Sequence, residues 1–144
     1  MFNPRPCSNA RGRKRQPRFV AVLPDAQGDL WLTGGWNGGL LYANTGSSAS
    51  PSLTTVPGVQ SAYHLGFGKA APGSSHLTLF LEGVIGGATG LYRSTDAGST
   101  WIQINDAAHQ WGGFNAVCGD MRTFGTVYLG TGGGRGIIWG ASTN

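Results

Sequence analysis

The sequence predicts an all-β chain of short strands gathered into small antiparallel sheets, and three observations carry that expectation. Gly supplies 26 of the 144 residues, far above the roughly 7% of average usage, and charged residues are only 11% against about 25% on average. Such a composition leaves few segments suited to helices. Apolar residues still make up 40%, with five Trp, four Tyr and six Phe, which is too much apolar surface for a disordered chain. Finally, the apolar runs are short and are separated by clusters of Gly, Ser, Thr, Asn and Asp, the punctuation of strands and tight turns.

Taken in order from Phe19, the first runs fall at 19–23, 30–33, 39–43 and, weakly, 53–56. A second group follows at 62–67, 77–84, 91–94 and 101–105, and a third at 114–119, 126–130 and 137–139. The groups start at 19, 62 and 114, so they repeat at 43 and 52 residues. That is the period of propeller blades, in which each four-stranded sheet buries its faces against its neighbours. The expected fold is a partial β-propeller, with about two four-stranded blades plus three strands of a third, because a closed ring takes at least about four blades. A weak internal repeat agrees: Leu41-Tyr-Ala-Asn-Thr45 matches Leu91-Tyr-Arg-Ser-Thr95 at an offset of 50.

The second copy runs on into Ser94-Thr-Asp-Ala-Gly-Ser-Thr-Trp101, which fits the Asp-box pattern S-x-D-x-G-x-T-W at each defined position. The residue types suit a structural clip. The carboxylate of Asp96 can accept backbone N–H groups across the turn, and Gly98 can take a positive φ. Ser94 and Thr100 can close the hairpin with their hydroxyls, while Trp101 wedges its indole against the neighbouring sheet. The alternative, Asp96 as a general base or nucleophile, conflicts with a carboxylate tied to its own turn. The first copy has Gly46 where the second has Asp96, so it lacks the clip.

The net charge is +4, but six of the ten basic residues (Arg5, Arg11, Arg13, Lys14, Arg15 and Arg18) lie in the head. From Phe19 onward four basic residues stand against six acidic ones. Residues 1–18, with Pro4, Pro6 and Pro17, are expected to be a basic disordered head, and 19–144 the propeller domain. Nucleic-acid binding through that head is a competing reading that the acidic body does not favour. The apolar run after the head is too short for a signal peptide, and no run is long enough to span a membrane. Cys7 and Cys118 make no disulfide framework; Cys118 is expected to be a small buried hydrophobe, with a thiol paired to His109 as the alternative.

Other apparently chemical signals fail on context. Gly66-Phe-Gly-Lys-Ala-Ala71 can be forced into a dinucleotide pattern, but Pro72-Gly73 follows where a helix would be required. Gly130-Thr-Gly-Gly-Gly-Arg-Gly136 lacks the ending of a phosphate loop and reads as a tight hairpin. His64, His76 and His109 stand at no metal-ligand spacing, so neither a metal nor a cofactor is expected. The acids pair with nothing obvious: Asp25 and Asp29 flank a turn, Asp106 and Asp120 follow strands, and Glu82 is expected on a solvated strand face. Trp36-Asn37 and His109-Gln-Trp111, in glycine-rich loops, are the candidate substrate-binding residues, since exposed indoles beside amides suit sugar faces and hydroxyls. For each Trp, Trp139 included, packing between blades is the plainer reading.

Ala62-Tyr-His-Leu-Gly-Phe-Gly-Lys-Ala-Ala-Pro-Gly73, Gly90-Leu-Tyr-Arg-Ser-Thr-Asp-Ala-Gly98 and Trp101-Ile-Gln-Ile-Asn-Asp-Ala-Ala-His-Gln-Trp-Gly112 resemble the C-terminal part of glycoside hydrolase family 74. The resemblance extends through Gly119-Asp-Met-Arg122 and Gly136-Ile-Ile-Trp-Gly140, and loosely to Gly28-Asp-Leu-Trp31, covering roughly residues 19 to 140. That family holds xyloglucan-specific endoglucanases and oligoxyloglucan reducing-end-specific cellobiohydrolases. The resemblance implies two propellers facing each other across a cleft that binds a branched glucan, and inverting hydrolysis by one Asp as general acid and another as general base. The segments that carry those acids lie upstream in such enzymes, and neither is recognisable here. The expectation is therefore a fragment or truncated homologue of a xyloglucan hydrolase, extracellular by resemblance, inactive alone and without the catalytic pair. Its partners would be a xyloglucan-like polysaccharide and the missing blades. The alternative is a non-catalytic carbohydrate-binding module that closes a ring by self-association.

Overall fold

The computed structural model describes residues 19–22, 29–44, 52–110 and 113–141; the head at 1–18, with Asp25, Gly46 and Trp111, lies outside them. Each group of apolar runs forms one antiparallel meander. The first joins β1 (Phe19–Val22), β2 (Asp29–Thr33), β3 (Leu40–Asn44) and β4 (Thr54–Thr55). The second joins β5 (Val59–Gly68), β6 (Thr78–Ile85), β7 (Ala88–Ser94) and β8 (Ile102–Gln103). The third joins β9 (Phe114–Gly119), β10 (Thr126–Thr131) and β11 (Ile137–Ala141). The partial propeller expected from the sequence is the fold observed. Boundaries differ where turns decide them: β7 starts at Ala88 because a two-residue turn sets Ile85 opposite Ala88. At β8 the strand is cut to two residues because Trp101 turns in to pack on the core.

The sheets stack face to face through the second. Along β6, Leu79 and Leu81 enter one apolar cluster with Trp31, Leu40 and Val56 of the first sheet. Phe80, between them, enters another with Phe114, Val117, Val127 and Leu129 of the third. Side chains alternate across a strand, so a strand covered on both faces needs a near-continuous apolar run, and Thr78–Ile85 is one apart from Thr78, Glu82 and Gly83. Each such residue taken from water stabilises the stack by about 1.5–3 kcal/mol. The second and third sheets also approach at the backbone. A Cβ on Gly66 would stand 2.4 Å from the Val117 carbonyl oxygen, and one on Gly119 would stand 2.6 Å from Gly68 Cα.

One expectation fails on that alternation. In β9, Val117 points into the stack, so its neighbour Cys118 points out and is exposed rather than buried. Cys118 stands in register with Tyr128 and Trp139, and these, with Ile137, form an uncovered face of the third sheet. The two copies of the Leu-Tyr repeat fall on the third strands of their sheets, β3 and β7. Tyr42 stacks on Trp31 with ring centroids 4.8 Å apart, against the same cluster that Tyr92 enters from the second sheet.

Candidate functional site

Residues 94–101 link β7 to β8 at one end of the sheets. Ser94 Oγ donates to Asp96 Oδ1 at 2.8 Å and accepts from Gly98 N at 2.9 Å. Thr100 donates twice to Asp96, from N to Oδ1 at 2.9 Å and from Oγ1 to Oδ2 at 2.5 Å. Gly98 stands at φ 83°, and a Cβ there would meet Val56 at 3.4 Å and Trp101 and Trp31 at 3.5 Å. Burial alone would raise the Asp96 pKa, but the bonds from Thr100 and Ser94 outweigh it and hold the carboxyl below the usual range. All three of these donors come from the turn itself.

The candidate sugar-facing residues lie at the opposite end. The β2–β3 turn docks beside the start of β5 through a Gly35–Ala62 bridge, and Asn37 N donates to Ser61 Oγ at 3.0 Å. Trp36, at the tip of that turn, is 73% exposed, so packing between sheets is not its role here. His109 and Gln110 sit in the β8–β9 connection at the same end. There His109 Nδ1 lies 2.6 Å from Asp106 Oδ1, and Gln110 Nε2 donates to the Asp106 carbonyl at 2.9 Å. The His109 contact, first among several bonds, holds the Asp106 carboxyl below its ordinary pKa. The two segments therefore share an end of the molecule but belong to connections of different sheets, and Trp111 lies outside the described residues.

Reading along the chain missed a further site. Glu82 is not solvated: it is 9% exposed and faces the third sheet. Its Oε1 accepts from Phe114 N at 3.2 Å, and its Oε2 lies 2.6 Å from His64 Nδ1. A β-bulge places the histidine. The register passes from Ala62 opposite Gly83 to His64 opposite Glu82, leaving Tyr63 as the extra residue. Because of that insertion Ala62 and Leu65, three apart, both enter the same cluster, and His64 turns to the other face. Tyr63, His64, Glu82, Phe114 and Asn115, with Gly113 and Gly132, line an open cavity of about 240 Å³. The signal for the pair was a lone carboxylate in an otherwise apolar run, which has to find a partner when the strand is buried. Among the described residues, no group of three His, Cys, Asp or Glu is placed to hold a metal ion.

No family model matches the chain. The xyloglucanase of a Paenibacillus species is 42% identical over 119 residues, which are 82% of this chain and 12% of that protein. The oligoxyloglucan-reducing end-specific xyloglucanase of Emericella nidulans is 41% identical over 132 residues, 85% of this chain and 16% of that one. The crystal structure of the glycoside hydrolase family 74 enzyme of Niastella koreensis superposes with a TM-score of 0.77 at 41% identity, covering 84% of this chain and 17% of that one. The chain thus spans less than a fifth of the length of these relatives. With that identity and that fold in common, the chain belongs to glycoside hydrolase family 74, of whose members it corresponds to a segment.

Proposed function

We propose that this chain supplies propeller scaffold and a glycan-facing end to xyloglucan breakdown outside the cell, and that it carries no catalytic carboxylate pair. The observation behind this reading is the engagement of every described acid by its own surroundings. Asp29 accepts from Tyr42 and Asn44, Asp96 from its turn, and Asp106 from Ala108 and His109. Asp120 accepts from Arg122, Thr123 and Tyr128, and Glu82 from Phe114. Inverting hydrolysis needs two carboxyl groups facing across room for a water, roughly 6.5–9.5 Å apart. Among the described residues, Glu82 is the one carboxylate lining its cavity. Purified chain should be retarded in gels containing xyloglucan and should release no reducing ends from it. Release of reducing ends by homogeneous protein would overturn the reading.

A self-associating binding module is the second reading, and the uncovered face of the third sheet favours it: Ile137 is 77% and Trp139 66% exposed. Light scattering separates the two, since a monodisperse oligomer supports the module and a monomer supports the scaffold.

A further inference from the structure

We propose that His64, braced by Glu82, is a hydroxyl-binding subsite for a glycan, a role that rests on the xyloglucan-binding reading above and extends it to a cavity that reading does not use. Packing alone does not call for these residues. Phe80, two residues before Glu82 on the same face of β6, is apolar. A carboxylate held in an interface between sheets is costly unless it is paired and hydrogen-bonded. The bond to His64 meets that need and also orients the ring. Where Glu82 is ionised and the imidazole neutral, this contact places the ring proton on Nδ1 and leaves Nε2 as an acceptor. The His64 side chain is 31% exposed on the cavity side of the pair, against 11% for Glu82, so the ring is presented while its brace is hidden.

The cavity fits a sugar edge. Tyr63 and Asn115 bring a phenol and an amide to its lining, and Phe114 brings an apolar face. That mixture of few polar groups on an apolar wall is the usual composition of a small-ligand site. The bulge at Tyr63 adds a second observation, since bulges re-aim side chains and gather beside functional sites. Trp36 stands exposed at the same end, and the cavity at about 240 Å³ takes one ring of a longer chain rather than an oligosaccharide. His64 would contact substrate; Glu82 is a positioning residue acting through it.

The test is long-range proton–nitrogen NMR on the whole chain, following the His64 ring while a xyloglucan heptasaccharide is added. In the wild type, Nδ1 is expected to be the protonated nitrogen and Nε2 to shift on binding. His64→Ala is expected to weaken binding about five- to tenfold, the worth of one hydrogen bond. In Glu82→Gln the tautomers are expected to mix, with weaker binding. Heptasaccharide binding that is lost in Trp36→Ala while the wild-type His64 nitrogens stay still would overturn this inference and leave the reading above intact. Absence of any binding by the wild type would overturn both. Because the nitrogen shifts are read on wild-type protein, a variant that fails to fold does not blunt the experiment.

Discussion

Replacing Asp96 by Ala removes the acceptor of three hydrogen bonds, from Ser94 Oγ, Thr100 N and Thr100 Oγ1. Their losses are unequal. Thr100 is exposed, so water takes over its two donors and each loss amounts to about 0.5 kcal/mol, the low end for an intramolecular bond. Ser94 is 2% exposed and its hydroxyl must still accept from Gly98 N, so stranding that donor costs about 1–2 kcal/mol. The sum is about 2–3 kcal/mol, which lowers the thermal midpoint of a chain this size by about 10 °C. Tryptophan fluorescence during heating reads it directly, because Trp101 and Trp31 meet the turn at Gly98. Acid supplies the control. The Asp96 pKa is lower in the folded chain than in the unfolded one, so its contribution is complete above about pH 4 and disappears as pH falls through the folded value. The gap between wild type and Asp96→Ala should therefore be full at neutral pH and shrink on acidification. Equal midpoints at neutral pH, or a gap that acid leaves untouched, would refute the clip.

Gly66→Ala pushes a methyl group into the Val117 carbonyl and should destabilise by about 1–3 kcal/mol, measured by urea denaturation, with the same result expected at Gly119. Trp36→Ala should leave the thermal midpoint within about 1 °C, since the ring is exposed, yet abolish retardation by xyloglucan in affinity gels. Cys118 should be alkylated in the folded monomer at the rate of a model thiol; protection would mean that another surface covers the Tyr128–Trp139 face.

Much of the fold was legible in composition and local pattern. Strand runs bounded by Gly and Ser fell where β2, β3, β6, β9 and β10 form, and their grouping anticipated three meanders. A turn such as Ser94–Trp101 could be read because its bonding partners lie within a few residues of one another. The site was less legible. His64 and Glu82 are eighteen residues apart and meet because of strand register, which a bulge at Tyr63 shifts by one. No local window contains that shift. The same reason defeats the readings of Cys118 as buried and of Glu82 as solvated, where the question was which of two faces a residue takes.

Strand content, blade grouping and the Asp96 turn thus follow from contacts between residues near in the chain, where propensity and short-range hydrogen bonding decide. The stacking of sheets on both sides of β6, the exposure of Trp36 and the burial of Glu82 against Phe114 were decided only when distant strands paired. Side chains in a strand alternate with period two, so the sequence supplies two possible faces, and the covering sheet chooses between them.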